Sequence, residues 1–165
     1  MRCTSGERYQ AGSFPFGRPG NDINHLRSRT PMNMYKKPLP QINDLNAPYW
    51  EGAKLKELRL QKCRNCGRFS AEPVRLCMSC GQDAMEWVKA SGRGKIWSFG
   101  IFHKSYFPSF AEEIPYNVVV VELEEGPRVY SNIVGVPQEE IKMDMPVIAY
   151  FDAVTEDVTL VKFQR

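Results

Sequence analysis

Four of the five cysteines stand in two copies of one pattern, Cys63-Arg64-Asn65-Cys66-Gly67 and Cys77-Met78-Ser79-Cys80-Gly81, with ten residues between Cys66 and Cys77. A C-x-x-C-G knuckle turns the chain tightly enough for two thiolates to face one ion, and its glycine permits the left-handed backbone that such a turn commonly needs. Two knuckles therefore predict four thiolates around one metal in a closed structural site. Two disulfides fit poorly, because nothing in the chain directs it to an oxidising compartment. A thioredoxin-like redox pair also fits poorly, since the pair is duplicated and no α/β pattern surrounds it. Zinc stands ahead of iron, although four thiolates accept either. Metal binding in such peptides is worth apparent values of about 10 to 16 kcal/mol, so the ribbon is expected to unfold without its ion. Cys3 has no partner motif and reads as an incidental free thiol.

Around this centre the 165 residues divide unequally. Residues 1–31 are rich in Gly, Ser, Arg and Pro, show no helical or strand period, and read as a disordered or extended tail. The tail is arginine-rich and acid-poor, as a mitochondrial transit segment is, but its glycines and prolines oppose an amphipathic helix. Residues 32–57 read as an N-terminal helical segment: Asn46 suits an N-cap, Pro48 a first turn, and Tyr49, Trp50, Ala53 and Leu55 an apolar face. Residues 58–90 form the zinc ribbon, opened by Leu58-Arg59-Leu60-Gln61-Lys62, which alternates as a half-buried strand does.

Residues 91–165 hold five strand candidates, at 95–103, 117–124, 128–134, 147–152 and 158–163. Glu125-Gly126-Pro127 is a hairpin turn between the second and third, and 137–141 is one proline-started helical turn between the third and fourth. Five short strands with a helical insertion after the third predict a mainly β chain ending in a five-stranded OB-fold barrel, whose closure protects the edges of the sheet.

The longest strictly apolar runs are a few residues, such as 118–121, where a membrane span needs about 20. With no apolar signal segment in the first 30 residues, the expected location is the cytoplasm, away from membranes. The net charge of +3 hints at nucleic acid until it is divided along the chain. The tail carries five arginines against Glu7 and Asp22, residues 32–80 carry nine Lys or Arg against four acids, and residues 81–165 carry eight against thirteen. A barrel half of net −5 has the wrong sign for binding phosphates, so a single-stranded nucleic-acid-binding ribbon and OB protein stays the alternative reading. The basic run of Lys54, Lys56, Arg59, Lys62, Arg64, Arg68 and Arg75 reads as a solvated ribbon surface ahead of a phosphate site.

Catalysis needs a nucleophile, an acid or base, and a means of stabilising developing charge. The histidines are His25, in the tail, and His103, beside Lys104 at a strand end, where a surface role is expected. A metal held by four cysteines has no open position with which to activate water. No catalytic residue is assigned, and the chain is not expected to be an enzyme. Its aromatic cluster is more suggestive. Phe99, Phe102, Tyr106, Phe107, Phe110 and Tyr116 bracket a loop containing Pro108 and Pro115. Strict alternation sends Ile96, Ser98, Gly100 and Phe102 to one face of the first barrel strand and Trp97, Phe99 and Ile101 to the other. Both faces are then substantially apolar, more than a free-standing barrel needs. A partner or ligand surface at Phe102, His103, Tyr106, Phe107, Phe110 and Tyr116 would explain the surplus.

The order of helix, two knuckles and then Ser91-Gly92-Arg93-Gly94-Lys95-Ile96-Trp97-Ser98-Phe99 resembles the acyl-CoA-associated zinc-ribbon and OB-fold family catalogued as domain of unknown function 35. The likeness runs from Tyr49 to Phe163 and includes Pro115-Tyr116, Glu124-Glu125-Gly126 and Met145-Pro146-Val147. It implies an N-terminal helical segment, a rubredoxin-like ribbon and a C-terminal OB domain. It also implies an accessory subunit that holds or completes a thiolase-like or hydroxymethylglutaryl-CoA-synthase-like enzyme and helps accommodate coenzyme A esters. Archaeal acetyl-CoA acetyltransferase complexes and actinobacterial steroid side-chain aldolases are the settings this resemblance suggests. The chain departs from the family pattern in its long tail and in Phe99-Gly100-Ile101 followed by His103-Lys104, where relatives usually carry a threonine and a more basic stretch.

Overall fold

Asn43 and Asn46 set the entry to the first helix in a computed structural model that describes residues 35–165. The readings of residues 1–31, of Cys3 and of His25 lie outside the described residues. Helix α1 spans Ala47–Lys54 with Pro48 in its first turn. Asn46 occupies the N-cap position, but its side chain turns backwards, accepting from the Asn43 N–H at 2.8 Å and donating to the Gln41 carbonyl at 3.0 Å. The apolar face is narrower than expected. Ala53 is buried and Tyr49 packs against the core, whereas Leu55 falls at the helix end and stays exposed. Burial pushes the Tyr49 hydroxyl up to about 12.

Three strands follow as a small antiparallel sheet: β1 (Arg59–Cys63), β2 (Phe69–Ser70) and β3 (Met85–Lys89), in the order β2-β1-β3. The buried Gln61 on β1 is satisfied by the Val74 N–H at 2.7 Å. Leu58 and Leu60 turn away from the knuckles and join the core of the following domain. The ribbon and the barrel thus share one hydrophobic core.

The five C-terminal strands are β4 (Arg93–Phe102), β5 (Tyr116–Leu123), β6 (Arg128–Ser131), β7 (Pro146–Ala153) and β8 (Thr159–Gln164). They lie in the order β6-β5-β4-β7-β8 with each neighbouring pair antiparallel. The expected third strand divides: β6 ends at Ser131, and Asn132, Ile133 and Val134 cross to β8. There Ile133 pairs in parallel with Phe163, and backbone bonds of 2.9 and 2.8 Å join Phe163 to Asn132 and Val134. This bridge nearly closes the sheet into an OB-fold barrel and covers part of both edges. Its core is built from Ile96, Val119, Val121, Ile133, Val147 and Phe163, with Leu58 and Leu60 contributed by the ribbon side. Short 3-10 turns occupy Pro108–Glu113 and Gln138–Glu140. The second sits within the expected helical turn at 137–141, while the first lies in the expected loop between the first and second barrel strands. Among the described residues, no helix is long and apolar enough to cross a membrane.

Alternation fails on β4 at one residue. The pairing steps from Ile96 opposite Val121 to Ser98 opposite Val120, so Trp97 is the extra residue of a β-bulge. Beyond it the parity reverses: Phe99 lies opposite the buried Val119, and Ser98, Gly100 and Phe102 lie on the other side from Ile96. The expected face of Ile96, Ser98, Gly100 and Phe102 is therefore corrected, because a bulge resets the period of two.

Gly94 is required by close approach. A Cβ there would lie 2.5 Å from the Glu122 carbonyl oxygen and 2.7 Å from Val121 Cγ1. Since pairing fixes the β5 backbone, Gly94→Ala is expected to destabilise the protein by about 1 to 3 kcal/mol in urea unfolding. An unchanged midpoint and slope would show instead that β4 and β5 separate freely at this end.

Candidate functional site

The two knuckles repeat one geometry. The Gly67 N–H donates to the Cys63 carbonyl and the Gly81 N–H to the Cys77 carbonyl, both at 2.8 Å, and the two glycines have φ of 72° and 71°. A short β1–β2 connection carries the first knuckle, and the second precedes β3. They meet so that all four Sγ atoms lie within 4.8 Å of one another. Cys63 and Cys80 are 3.7 Å apart, and Cys66 and Cys77 are 3.6 Å apart. A tetrahedron with metal–sulfur bonds of about 2.3 Å has edges of about 3.8 Å, close to the two short sulfur–sulfur separations, so the quartet suits a four-thiolate zinc centre. Among the described residues it is the one cluster of His, Cys, Asp or Glu suited to a metal.

The surroundings favour the thiolate at Cys77 and Cys80. Backbone N–H groups of Cys80 and Ser79 lower the Cys77 thiol. The Gln82 N–H and the Asn65 side-chain amide draw Cys80 down to about 6. Cys66 goes the other way, up to about 11: the Arg68 N–H favours its thiolate, but desolvation and its three sulfur neighbours outweigh that contact. Negative sulfurs this close repel one another unless a cation sits among them.

The second constellation lies at the end of β4. Phe102 and Tyr116 are a cross-strand pair whose rings stack at 5.2 Å and 7°. Tyr106 meets Phe102 edge-on at 6.2 Å, and Phe110 tilts against Tyr116 at 5.5 Å. Phe107 leans on Phe110 at 6.3 Å. The structure therefore brings five of the six expected surface residues together. Tyr106 and Phe107 remain 65% and 59% exposed, while Phe102, Phe110 and Tyr116 are half-buried beneath them. His103 is exposed beside Lys104 and takes no part in the ring contacts. Behind the loop lies a cavity of about 410 Å³, lined by Tyr35, Lys37, Phe110, Glu113 and Tyr116 among others.

Two further surfaces escaped sequence reading. Trp97 is 44% exposed at the bulge, with the Arg128 guanidinium 3.9 Å over its ring and Arg128 itself bonded to Glu122. Tyr130 is 79% exposed on β6. Alternation separates Trp97 from Ile96, but nothing in the local pattern marks the bulge or the contact with Arg128. In the basic run, Lys54 pairs with Asp157, Arg59 with Glu57 and Arg64 with Glu86, while Lys62 lies over Phe69. Four of the seven cations thus have partners within the chain.

Comparison with known proteins finds two family models in succession along the chain. Residues 50–86 match the family model of the ChsH2 rubredoxin-like zinc ribbon domain, and residues 87–152 match that of the ChsH2 C-terminal OB-fold domain. A probable enoyl-CoA hydratase alpha subunit of Thermomonospora curvata is 35% identical over 128 residues, which is 78% of this chain but 40% of that protein. The chain thus spans less than half the length of that relative. A DUF35 domain-containing scaffold protein of Methanocaldococcus jannaschii is 32% identical over 97 residues, covering 58% of this chain and 68% of the relative. The benzoylsuccinyl-CoA thiolase subunit BbsA of Thauera aromatica is 28% identical over 94 residues, covering 57% and 58% respectively. Among solved structures, a chain of the Ltp2-ChsH2(DUF35) aldolase is 35% identical with a TM-score of 0.69, covering 76% of this chain and 98% of that one. With its paired knuckles, shared core and nearly closed five-stranded barrel, this chain belongs to the DUF35 family, in the ChsH2 combination of a rubredoxin-like zinc ribbon with an OB-fold domain.

Proposed function

We propose that this chain is a non-catalytic accessory or scaffold subunit that docks a thiolase-fold acyl-CoA enzyme in the cytoplasm and helps accommodate the coenzyme A ester. The observation that carries the reading is the aromatic loop: Tyr106 and Phe107 project to solvent from a stacked, half-buried base of Phe102, Phe110 and Tyr116. Exposed aromatic anchors on a supported base are what a protein interface uses. His103 stands at the rim of this surface. The ribbon at 58–90 and the OB domain at 91–165 act as one body through their shared core.

The thiol quartet supports the non-catalytic half of the reading. Cys63, Cys66, Cys77 and Cys80 would hold zinc with every tetrahedral position taken, so the ion would supply folding energy and no activated water. Relatives named as scaffold proteins support that half, whereas the hydratase alpha subunit, the thiolase subunit and the aldolase structure support the link to an enzyme assembly. Each describes a component of an assembly or of acyl-CoA chemistry.

Co-purification from the native organism after nuclease treatment, with the retained proteins identified by mass spectrometry, tests the reading. A thiolase-fold enzyme in near-stoichiometric amount is expected. Recovery of ribosomal or transcription proteins without any acyl-CoA enzyme would overturn it in favour of the single-stranded nucleic-acid alternative.

A further inference from the structure

We propose that Lys37 is a positioning residue for the aromatic loop, holding it in the form that a partner meets; the docking half of this inference rests on the function proposed above. Ring contacts tie the loop to Phe102 and Tyr116, but its turn has no buried anchor of its own. No residue of its 3-10 turn, Pro108–Glu113, is buried, and its two outermost rings face solvent. Burial of apolar side chains, which fixes the strands, is largely missing here, and segments with few buried contacts open readily.

Lys37 supplies the missing restraint from 76 residues away in sequence. Its Nζ lies 2.5 and 2.6 Å from the two carboxylate oxygens of Glu113. The same ammonium sits 4.9 Å over the Phe110 ring and 6.0 Å from that of Tyr35. Its side chain is 18% exposed and the Glu113 side chain 50%, so water shields the lysine's ring contacts little but screens the ion pair from the carboxylate side. One cation thus grips both the last residue of the turn and the ring on which Phe107 leans. The second restraint, the Gln138 amide donating to the Pro115 carbonyl, acts only where the loop rejoins β5.

An ion pair and a cation–π contact together bias an equilibrium by about five- to thirtyfold. A loop released by that factor spends part of its time in forms that do not fit, and partner affinity falls in proportion to the competent fraction. Lys37 would therefore act on docking without touching the partner.

The test uses the full zinc-loaded chain and the thiolase-fold enzyme recovered with it. Lys37→Met keeps the stem and removes the charge; Lys37→Arg keeps the charge; Glu113→Gln removes the other half of the pair. Amide hydrogen exchange across residues 105–116 is read without partner, and affinity is read by titration. In Lys37→Met, loop exchange is expected to accelerate about five- to thirtyfold while the barrel strands stay unchanged, with affinity lowered about threefold or more. Glu113→Gln should follow it, and Lys37→Arg should stay close to the parent. Unaltered loop exchange in Lys37→Met would overturn the proposal, as would equal acceleration throughout the barrel, which marks a merely structural role. Faster loop exchange with unchanged affinity would overturn its docking half. If the parent chain binds no partner, the docking function fails, and the exchange measurement still decides whether Lys37 holds the loop.

Discussion

Cys77→Ser is expected to lose the metal and the folded ribbon together. Serine is nearly isosteric, and the backbone bonds of the second knuckle, from Cys77 N–H to the Gln82 carbonyl and from Gly81 N–H to the Cys77 carbonyl, need no thiol. The lost quantity is therefore the fourth metal–sulfur bond. Binding a structural zinc is worth apparent values of about 10 to 16 kcal/mol, comparable to the whole stability of a small domain at about 5 to 15 kcal/mol. A sheet with a two-residue β2 has little apolar burial of its own to replace it. The damage should also spread, because Leu58 and Leu60 pack in the same core as Ile96, Val119 and Phe163. Metal analysis should find the ion largely absent, hydrogen exchange should show β1 and β3 unprotected, and the barrel should melt at lower temperature than in the parent. Full metal content with unchanged folding would reject the four-thiolate site.

What the amino-acid pattern revealed and what it hid follow from the range of the interactions involved. Knuckles are local, so Cys63, Cys66, Cys77 and Cys80 could be paired from spacing alone, and the geometry brings them within 4.8 Å. Period-two runs rich in Val and Ile are also local, which is why the five barrel strands stand in the expected order with ends displaced by a few residues. Strand β2 has two residues and no period to read. The bulge at Trp97 is decided by how β4 meets β5, a non-local choice that inverted the faces assigned beyond it. Asn46 had an alternative partner in the preceding turn and took it. Lys37 and Glu113 meet only because the chain passes the barrel mouth before building it. The quartet is thus a motif in the sequence, whereas the support of the aromatic loop is a property of the fold.

Phe107→Asp is expected to abolish capture of the thiolase-fold partner while leaving the protein folded and metal-loaded. The ring is 59% exposed and tilts against Phe110 at 6.3 Å, so its loss costs the isolated chain little. At an interface centre the same change removes an aromatic anchor and strands a carboxylate among apolar groups. Anchor truncation alone typically costs about 2 kcal/mol or more, and a buried unpaired charge adds to it, so affinity should fall about a hundredfold or beyond. Tyr130→Asp provides the comparison. Tyr130 is more exposed still, at 79%, but it stands on β6, apart from the ring cluster formed by Phe102, Tyr106, Phe107, Phe110 and Tyr116. If the loop is the docking surface, pull-down with the recovered enzyme fails for Phe107→Asp and succeeds for Tyr130→Asp. The reverse pattern would move the docking surface to the outer face of β5 and β6, and would remove the functional reason for holding the loop in place.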